Sequence, residues 1–155
     1  MWRPLSGTWL VFGLAVLLSS SGCRDVDVVT ASYATLAEAE AAGAVREGWL
    51  PAGLPPGTYE IREAHDPRSP RRWGLFNFPP DEDHAMRGLI GAERPFAGLQ
   101  ANPPRRIEWW PVLLRRELDQ ERIAATGLRA YESRDGESIF AINWSQGRAY
   151  YWTRE

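Results

Sequence analysis

The chain has 155 residues, which is enough for one domain with a core of its own. Its formal net charge is −2, and all 18 basic residues are arginine. This near-neutral balance argues against a nucleic-acid-binding or polybasic membrane surface, because both need an excess of positive charge. The single cysteine excludes a disulfide within the chain, so packing alone must hold the core.

The first 22 residues have the features of an export signal. Arg3 supplies a short positive region, and residues 8–18 form an apolar segment too short to cross a bilayer as a helix. Small residues at 19–22 lead directly to Cys23, an arrangement that resembles a bacterial lipoprotein box, in which the cysteine thiol is acylated. We therefore expect a signal peptide at 1–22, a lipid such as palmitate on Cys23, a tether at 23–31 and a single domain at 32–155. A plain secretory signal and an uncleaved anchor are the alternatives.

Acylation of Cys23 would also explain an odd cysteine in an exported protein. One acyl chain binds a membrane only marginally, whereas two or more make a stable anchor. Arg24 follows the cysteine in place of the aspartate often linked to inner-membrane retention, which favours the outer membrane in a cell that has one. We expect the protein at a membrane surface of the cell envelope.

The next part of the chain begins with a short helix. Residues 25–30 are predicted as a linker or as a first strand that ends near Tyr33. Thr35 can cap a helix and Glu38 completes a capping box, while Gly43 suits the left-handed residue that ends one. The spacing therefore predicts a helix over 36–42, followed by a proline-containing loop that Trp49 pins to the core.

A spaced set of residues runs through this part and the strand that follows it. The set consists of Tyr33, Thr35, Glu38, Ala39, Gly43, Ala44, Gly48, Trp49, Leu50, Pro51, His65 and Asp66. It resembles the YbbD head-domain family of small bacterial envelope proteins, over about a third of the chain. The resemblance implies an envelope domain, but it implies no activity, cofactor or catalytic residue.

The middle of the chain predicts a hairpin and two helices. The alternation over 59–65 and the aromatic run over 73–78 predict two strands, joined by a turn at 66–70. Acidic residues at 81–83 favour the start of a short helix that continues to Ile90, and residues 91–104 are predicted as a long connection. Pro111 is then predicted to open a helix with Val112, Leu113, Leu114 and Leu118 on its apolar side.

The C-terminal part predicts an antiparallel meander. Its three strands are expected at 128–133, 138–144 and 148–153, with Asp135-Gly136 as the first turn. Together with the earlier hairpin, this predicts an α+β fold, an antiparallel sheet of about five strands with two or three short helices on one face.

No stretch of the sequence carries a strong catalytic motif. It contains no G-x-S-x-G elbow for a serine hydrolase and no pair of ligands at a zinc-finger interval. We therefore predict no catalytic residue and no cofactor. His65, Asp66 and His84 are weak candidates for metal ligands, since carboxylates and imidazoles suit divalent ions. The structural alternatives are a turn cap for the first pair and compensation of a helix dipole for the acidic run around His84.

Aromatic residues are the more informative candidates, because the chain contains eight tryptophans. Such rings can stack on sugars or anchor a partner protein. Tyr150 and Trp152 share one face of the last predicted strand and Tyr151 points to the other. We predict Trp73, Tyr150 and Trp152 as possible ligand contacts; the competing interpretation is that large rings fill the core.

These features predict a membrane-anchored, non-enzymatic binding or accessory module of the bacterial cell envelope. The expected partners are the membrane, through the lipid on Cys23, and an envelope protein or glycan, without nucleic acid. The alternatives are a cell-wall glycan-binding module that uses surface Trp and Tyr residues, and a metal-dependent enzyme.

Overall fold

The structure, a computed structural model, describes residues 27–155, and within that range it contains one seven-stranded antiparallel sheet and three short α-helices. The strands are β1 (Val29–Thr35), β2 (Tyr59–His65), β3 (Arg72–Asn77), β4 (Ile90–Arg94), β5 (Leu128–Ser133), β6 (Ser138–Asn143) and β7 (Arg148–Thr153). The helices are α1 (Leu36–Ala41), α2 (Asp83–Leu89) and α3 (Gln120–Ala124), with 3-10 turns at Pro80–Glu82 and Val112–Leu114. The predicted signal peptide and Cys23 lie outside the described residues.

The strands follow the order β1-β2-β3-β7-β6-β5-β4, and the α+β class is confirmed. The predicted hairpin and the predicted three-stranded meander form the inner part of the sheet, with β3 paired to β7. The expected number of about five strands was too low, because the sequence signals for the two edge strands, β1 and β4, are weak. The sequence does not decide whether the residues of β1 form a linker or a strand. Strand β4 begins with Ile90-Gly91 and pairs with β5 only across a shift of register.

Strand β1 brings the start of the described chain to one particular end of the sheet. It begins at Val29, so the last three residues of the predicted tether are part of the sheet. Val29 lies opposite His65, the last residue of β2. The chain therefore enters the domain at the end of the sheet where β2 finishes and β3 begins.

Both faces of the sheet are covered, which corrects the expectation of helices on one face. All six residues of β6 are buried, so each face needs its own covering layer. We call the side that carries Ile61 and Tyr151 the front face; it packs against α1 and α2 through Ala39 and Met86. The back face, which carries Trp73 and Trp152, packs against α3 and the long segment before it.

The first helix forms as predicted, apart from one residue at its end. The Glu38 N–H donates to the Thr35 hydroxyl at 3.3 Å, and the Glu38 carboxylate accepts from the Ala34 N–H at 2.9 Å. The first bond is the one that a capping box requires, whereas the second reaches the N–H of Ala34, one residue before the cap Thr35. Gly43 adopts φ +85° directly after the helix, in the left-handed region that glycine tolerates best.

The helix predicted from Pro111 was wrong, because that segment contains only the 3-10 turn Val112–Leu114. Val112, predicted on the apolar side, is 84% exposed, whereas Leu114 is buried. The Arg115 guanidinium donates to the carbonyls of Pro104 and Ile107, which ties the segment to the irregular part of the chain just before it. A separate helix, α3, begins after Asp119, whose side chain accepts from the Arg122 N–H at 3.0 Å.

Among the described residues, no helix is long and apolar enough to span a membrane.

Candidate functional site

A cleft with charged and aromatic walls lies at the end of the sheet where the chain enters. This cleft of about 280 Å³ opens between two segments, the loop around Trp49 and the turn that joins β2 to β3. His65 and Arg72, which lie opposite each other on β2 and β3, also line it. The cleft is smaller than the roughly 300–1,000 Å³ typical of drug-sized sites, so it suits a small group.

The loop around Trp49 is held by its backbone. The N–H groups of Trp49 and Leu50 both donate to the Ala44 carbonyl, at 2.9 and 3.1 Å. The Trp49 carbonyl accepts from the Tyr151 hydroxyl at 2.7 Å, which connects the loop to the middle of the sheet. Leu50 is buried in the front-face core, so the predicted attachment of this loop is confirmed.

Tyr151 reaches Trp49 because the strand next to it carries a glycine. Gly74 pairs with Tyr151, and a Cβ built on Gly74 would lie 2.1 Å from the Tyr151 ring. The ring therefore lies directly over the backbone of β3. Burial raises the Tyr151 pKa well above its usual 10.0, and the negative charge of Glu63 adds to this effect.

The Trp49 side chain covers His65. The two rings are stacked, with centroids 4.1 Å apart and planes 8° from parallel. The Nδ1 atom of His65 lies 2.9 Å from a carboxylate oxygen of Glu63. A carboxylate at Nδ1 fixes the orientation of an imidazole ring.

Glu63 is the most unusual group of the site, because its side chain is 0% exposed. Its second carboxylate oxygen has no hydrogen-bond partner among the described residues. Burial raises the pKa of Glu63, and the hydrogen bond and charge of His65 offset part of this shift. The same carboxylate contributes to the raised pKa of Tyr33, after burial of the Tyr33 ring itself.

The turn between β2 and β3 forms the other wall. Asp66 accepts from the Arg68 N–H and from the Ser69 hydroxyl, both at 2.9 Å. These hydrogen bonds lower the pKa of Asp66, so it is a carboxylate over the working range of pH. Asp66 therefore caps the turn between β2 and β3, which is the structural alternative stated in the sequence analysis.

Arg72 separates this cleft from a second one of about 250 Å³ on the other side of the loop. Its guanidinium donates to the Ser138 hydroxyl at 3.3 Å and lies 3.6 Å from the Glu137 carboxylate. Its Nε has no hydrogen-bond partner among the described residues. Arg72 thus supplies a positive charge between the two clefts.

The structure places the predicted ligand-contact aromatics on the back face. Trp73 and Trp152 are 2% and 1% exposed, and the Trp73 indole N–H donates to the Ala101 carbonyl at 2.6 Å. Tyr150 is partly exposed, and its ring packs edge-on against Trp110. The covering segment separates Trp73 from solvent, whereas Trp152 lines a small cavity of about 260 Å³ beside that segment. The prediction that Tyr151 points to the opposite face is confirmed.

The three weak candidates for metal ligands do not come together. His65 and Asp66 line the cleft, whereas His84 is exposed on α2 and is not among its lining residues. Within residues 27–155, no group of three or more His, Cys, Asp or Glu side chains could hold a metal ion. Cys23 lies outside the described residues.

Sequence reasoning missed Glu63 and undervalued Trp49. The alternation of β2 contains the signal, because Glu63 and His65 fall on the same side as Ile61, which faces the core. A carboxylate on the apolar side of a strand is rarely buried without a partner. Here the partner is His65, the next residue on the same side of β2. No local pattern shows that Trp49 would cover the pair.

Comparisons with known proteins give one match. Residues 27–77 match the family model of the YbbD head domain. The resemblance is therefore confirmed for that segment, which runs from the start of the described chain to the end of β3. A search of curated proteins finds no match, and a search of solved structures finds none either. Trp49, His65 and Asp66 all belong to the YbbD head segment, and the fold brings them to one cleft.

Proposed function

We propose that this chain is a membrane-anchored, non-enzymatic binding or accessory module of the bacterial cell envelope, with the Trp49 cleft as its binding surface. The observation that carries the proposal is the position of the cleft. It lies at the end of the sheet where β1 begins, and β1 begins six residues after Cys23.

The length of the intervening chain supports this arrangement. An extended chain spans at most about 3.3–3.6 Å per residue, so six residues reach about 20 Å. A lipid on Cys23 would therefore hold the cleft end of the domain close to the membrane surface. A partner that binds there would be one found at that surface.

Membrane attachment is tested by the substitution Cys23→Ser. The expected result is that the wild-type chain sediments with envelope membranes, while the variant is released into the soluble fraction. Retention of the variant in membranes would contradict acylation of Cys23 as the means of attachment, and would favour an uncleaved anchor.

The binding surface is tested by photo-cross-linking of the full chain in its own envelope. A photoreactive phenylalanine analogue replaces Glu47, which is exposed and lines the cleft, and in the matched control it replaces Glu121 on α3. We expect one discrete adduct from position 47 and none from position 121. Equal labelling from both positions, or none from either, would contradict the proposal.

A glycan is the second candidate for the ligand, and the composition of the cleft favours it. Trp49 offers an aromatic edge, Asp66 and Glu47 offer acceptors, and Arg72 offers donors. This mixture of an aromatic ring with both kinds of hydrogen-bonding group suits the hydroxyls of a sugar. Binding of soluble peptidoglycan fragments should fall at least tenfold in Trp49→Ala and remain unchanged in Trp109→Ala, a partly exposed tryptophan elsewhere. Equal affinity in all three proteins would rule out a glycan site at this cleft.

A further inference from the structure

The two edges of the sheet differ in how well they are protected against pairing with another strand. An edge strand presents unpaired backbone N–H and C=O groups, and proteins limit access to them with short strands, bulges and charged side chains. Strand β4 combines all three features: it has five residues, a shift of register against β5, and the charged residues Glu93 and Arg94. This edge is therefore poorly suited to accept a further strand.

Strand β1 has none of these protections. It contains seven residues, of which none is charged and none is proline. Its register with β2 is continuous from Val29 to Tyr33, and on its other side it has no partner strand among residues 27–155. Val29 is 48% exposed although its side chain is apolar. An uncharged, regular edge of this length is a template for a further strand.

The side chains of β1 alternate between two kinds. The apolar residues Val29, Ala31 and Tyr33 lie on the front face, and the hydroxyl residues Thr30 and Ser32 lie on the other. This order is nearly symmetric about Ala31, since a hydroxyl residue flanks it on either side and a large apolar residue comes next. Such a strand is complementary to a second copy of itself that runs in the opposite direction.

We propose that β1 is a self-association surface, on which β1 of a second copy of this chain pairs antiparallel in a register centred on Ala31. In that register Val29 lies opposite Tyr33 of the second copy, and Thr30 lies opposite Ser32. An aromatic ring opposite a β-branched residue stabilises an antiparallel pair, and so does a threonine opposite a serine. The ring of Tyr33 then covers the apolar side chain that is exposed in the single chain.

The hydrogen bond of Glu38 favours this register over its neighbour. The Ala34 N–H already donates to the Glu38 carboxylate at 2.9 Å. A register centred on Ser32 would include Ala34 in the strand pair, whereas the register centred on Ala31 uses only the five residues before it. The pairing therefore ends where the capped start of α1 begins.

The geometry limits the assembly to two copies and permits both to share one membrane. A two-fold pair joins the two β1 edges, so that only the protected β4 edges remain at the outside. The two copies of Val29 lie four residues apart along the strand pair, about 13 Å. Strand β1 begins six residues after Cys23, and six residues reach about 20 Å, so both proposed lipids can enter the same surface. The pairing does not depend on the Trp49 cleft.

The register is tested by disulfide cross-linking of the full chain in mild detergent, in a Cys23→Ser background that leaves an introduced cysteine as the only thiol. Residues directly opposite in an antiparallel pair have Cα atoms about 4.5–5.5 Å apart, within the roughly 4.4–6.8 Å that a disulfide spans. With a copper–phenanthroline oxidant, we expect Ala31→Cys to form a covalent dimer that a reductant reverses. In the matched control Ser32→Cys, the two thiol positions lie diagonally, about 7–8 Å apart, so the yield of dimer should be at least tenfold lower. No dimer from Ala31→Cys, or an equal yield from both variants, would overturn the proposal.

A second test needs no introduced cysteine. Ala31→Lys would place two ammonium groups directly opposite each other, so the dissociation constant of the dimer should rise at least tenfold. It is measured by sedimentation of the full chain in detergent under reducing conditions, over a range of concentrations. The matched control Ala92→Lys makes the same change on the β4 edge and should sediment as the wild type. Equal effects of both substitutions would contradict the proposal. A wild-type chain that stays monomeric at every concentration would leave this edge to a strand of another protein, and would also refute self-association.

Discussion

Replacing Tyr151 with phenylalanine removes one oxygen, and that oxygen is the connection between the sheet and the loop around Trp49. The Tyr151 hydroxyl donates to the Trp49 carbonyl at 2.7 Å, from a side chain that is fully buried. A net hydrogen bond contributes about 0.5–1.5 kcal/mol, and an acceptor left buried without a partner costs about 1–3 kcal/mol. We therefore expect Tyr151→Phe to lower the free energy of unfolding by about 1–3 kcal/mol.

The assay is equilibrium unfolding in urea, where the midpoint falls and the slope stays unchanged if only the folded state is affected. The matched control is Tyr131→Phe, whose hydroxyl accepts from the Trp144 indole N–H at 3.0 Å in a partly exposed site. Its loss should be smaller, below about 1 kcal/mol, because water can replace the bond. A Tyr151→Phe effect no larger than that of Tyr131→Phe would show that the hydroxyl does not hold the loop.

Three further predictions concern the sheet and its surface. Gly74→Ala places a methyl group 2.1 Å from the Tyr151 ring, so unfolding free energy should fall by about 1–3 kcal/mol or more; an unchanged urea midpoint would contradict the close contact. Since the folded chain keeps the Tyr151 proton when the unfolded chain loses it, stability should fall as pH rises through 10, and the fall should be shallower in Tyr151→Phe; equal slopes would contradict the raised pKa. Val112→Ala should change stability by less than about 0.5 kcal/mol, because the side chain is 84% exposed; a larger loss in a thermal melt would show that Val112 is covered.

The regular elements with complete local signals could be predicted from the sequence. The capping box and Gly43 define α1, and Asp135-Gly136 defines the turn between β5 and β6. The bounds of β2 and β7 agree with the predicted bounds. In these places the local preference and the tertiary structure agree.

The edge strands and the segment over the back face could not be predicted in the same way. β4 contains Gly91 and has one buried residue, so its pairing with β5 is decided by contacts outside the strand. The segment around Val112 has the composition of an amphipathic helix, but Arg115 donates to the carbonyls of Pro104 and Ile107 earlier in the same segment, and the turn ends there. A short helix gains little stability from the helix propensity of its residues alone, so contacts with the surrounding chain decide whether it forms.

The positions of the aromatic rings show which part of a binding site a sequence can reveal. The alternation of side chains along β7 correctly places Tyr151 and Trp152 on opposite faces, but it does not show that both faces are covered. Trp73 and Trp152 were expected to be exposed if one face of the sheet met solvent. Both are buried, because a second layer covers that face. Trp49 lies in a loop, so the alternation rule for strands does not apply to it. Its position follows from Gly48, which adopts φ +76°, and from the hydrogen bond of the Tyr151 hydroxyl to the Trp49 carbonyl. A loop ring placed by long-range contacts over a strand residue is therefore the part of this site about which sequence patterns are least informative.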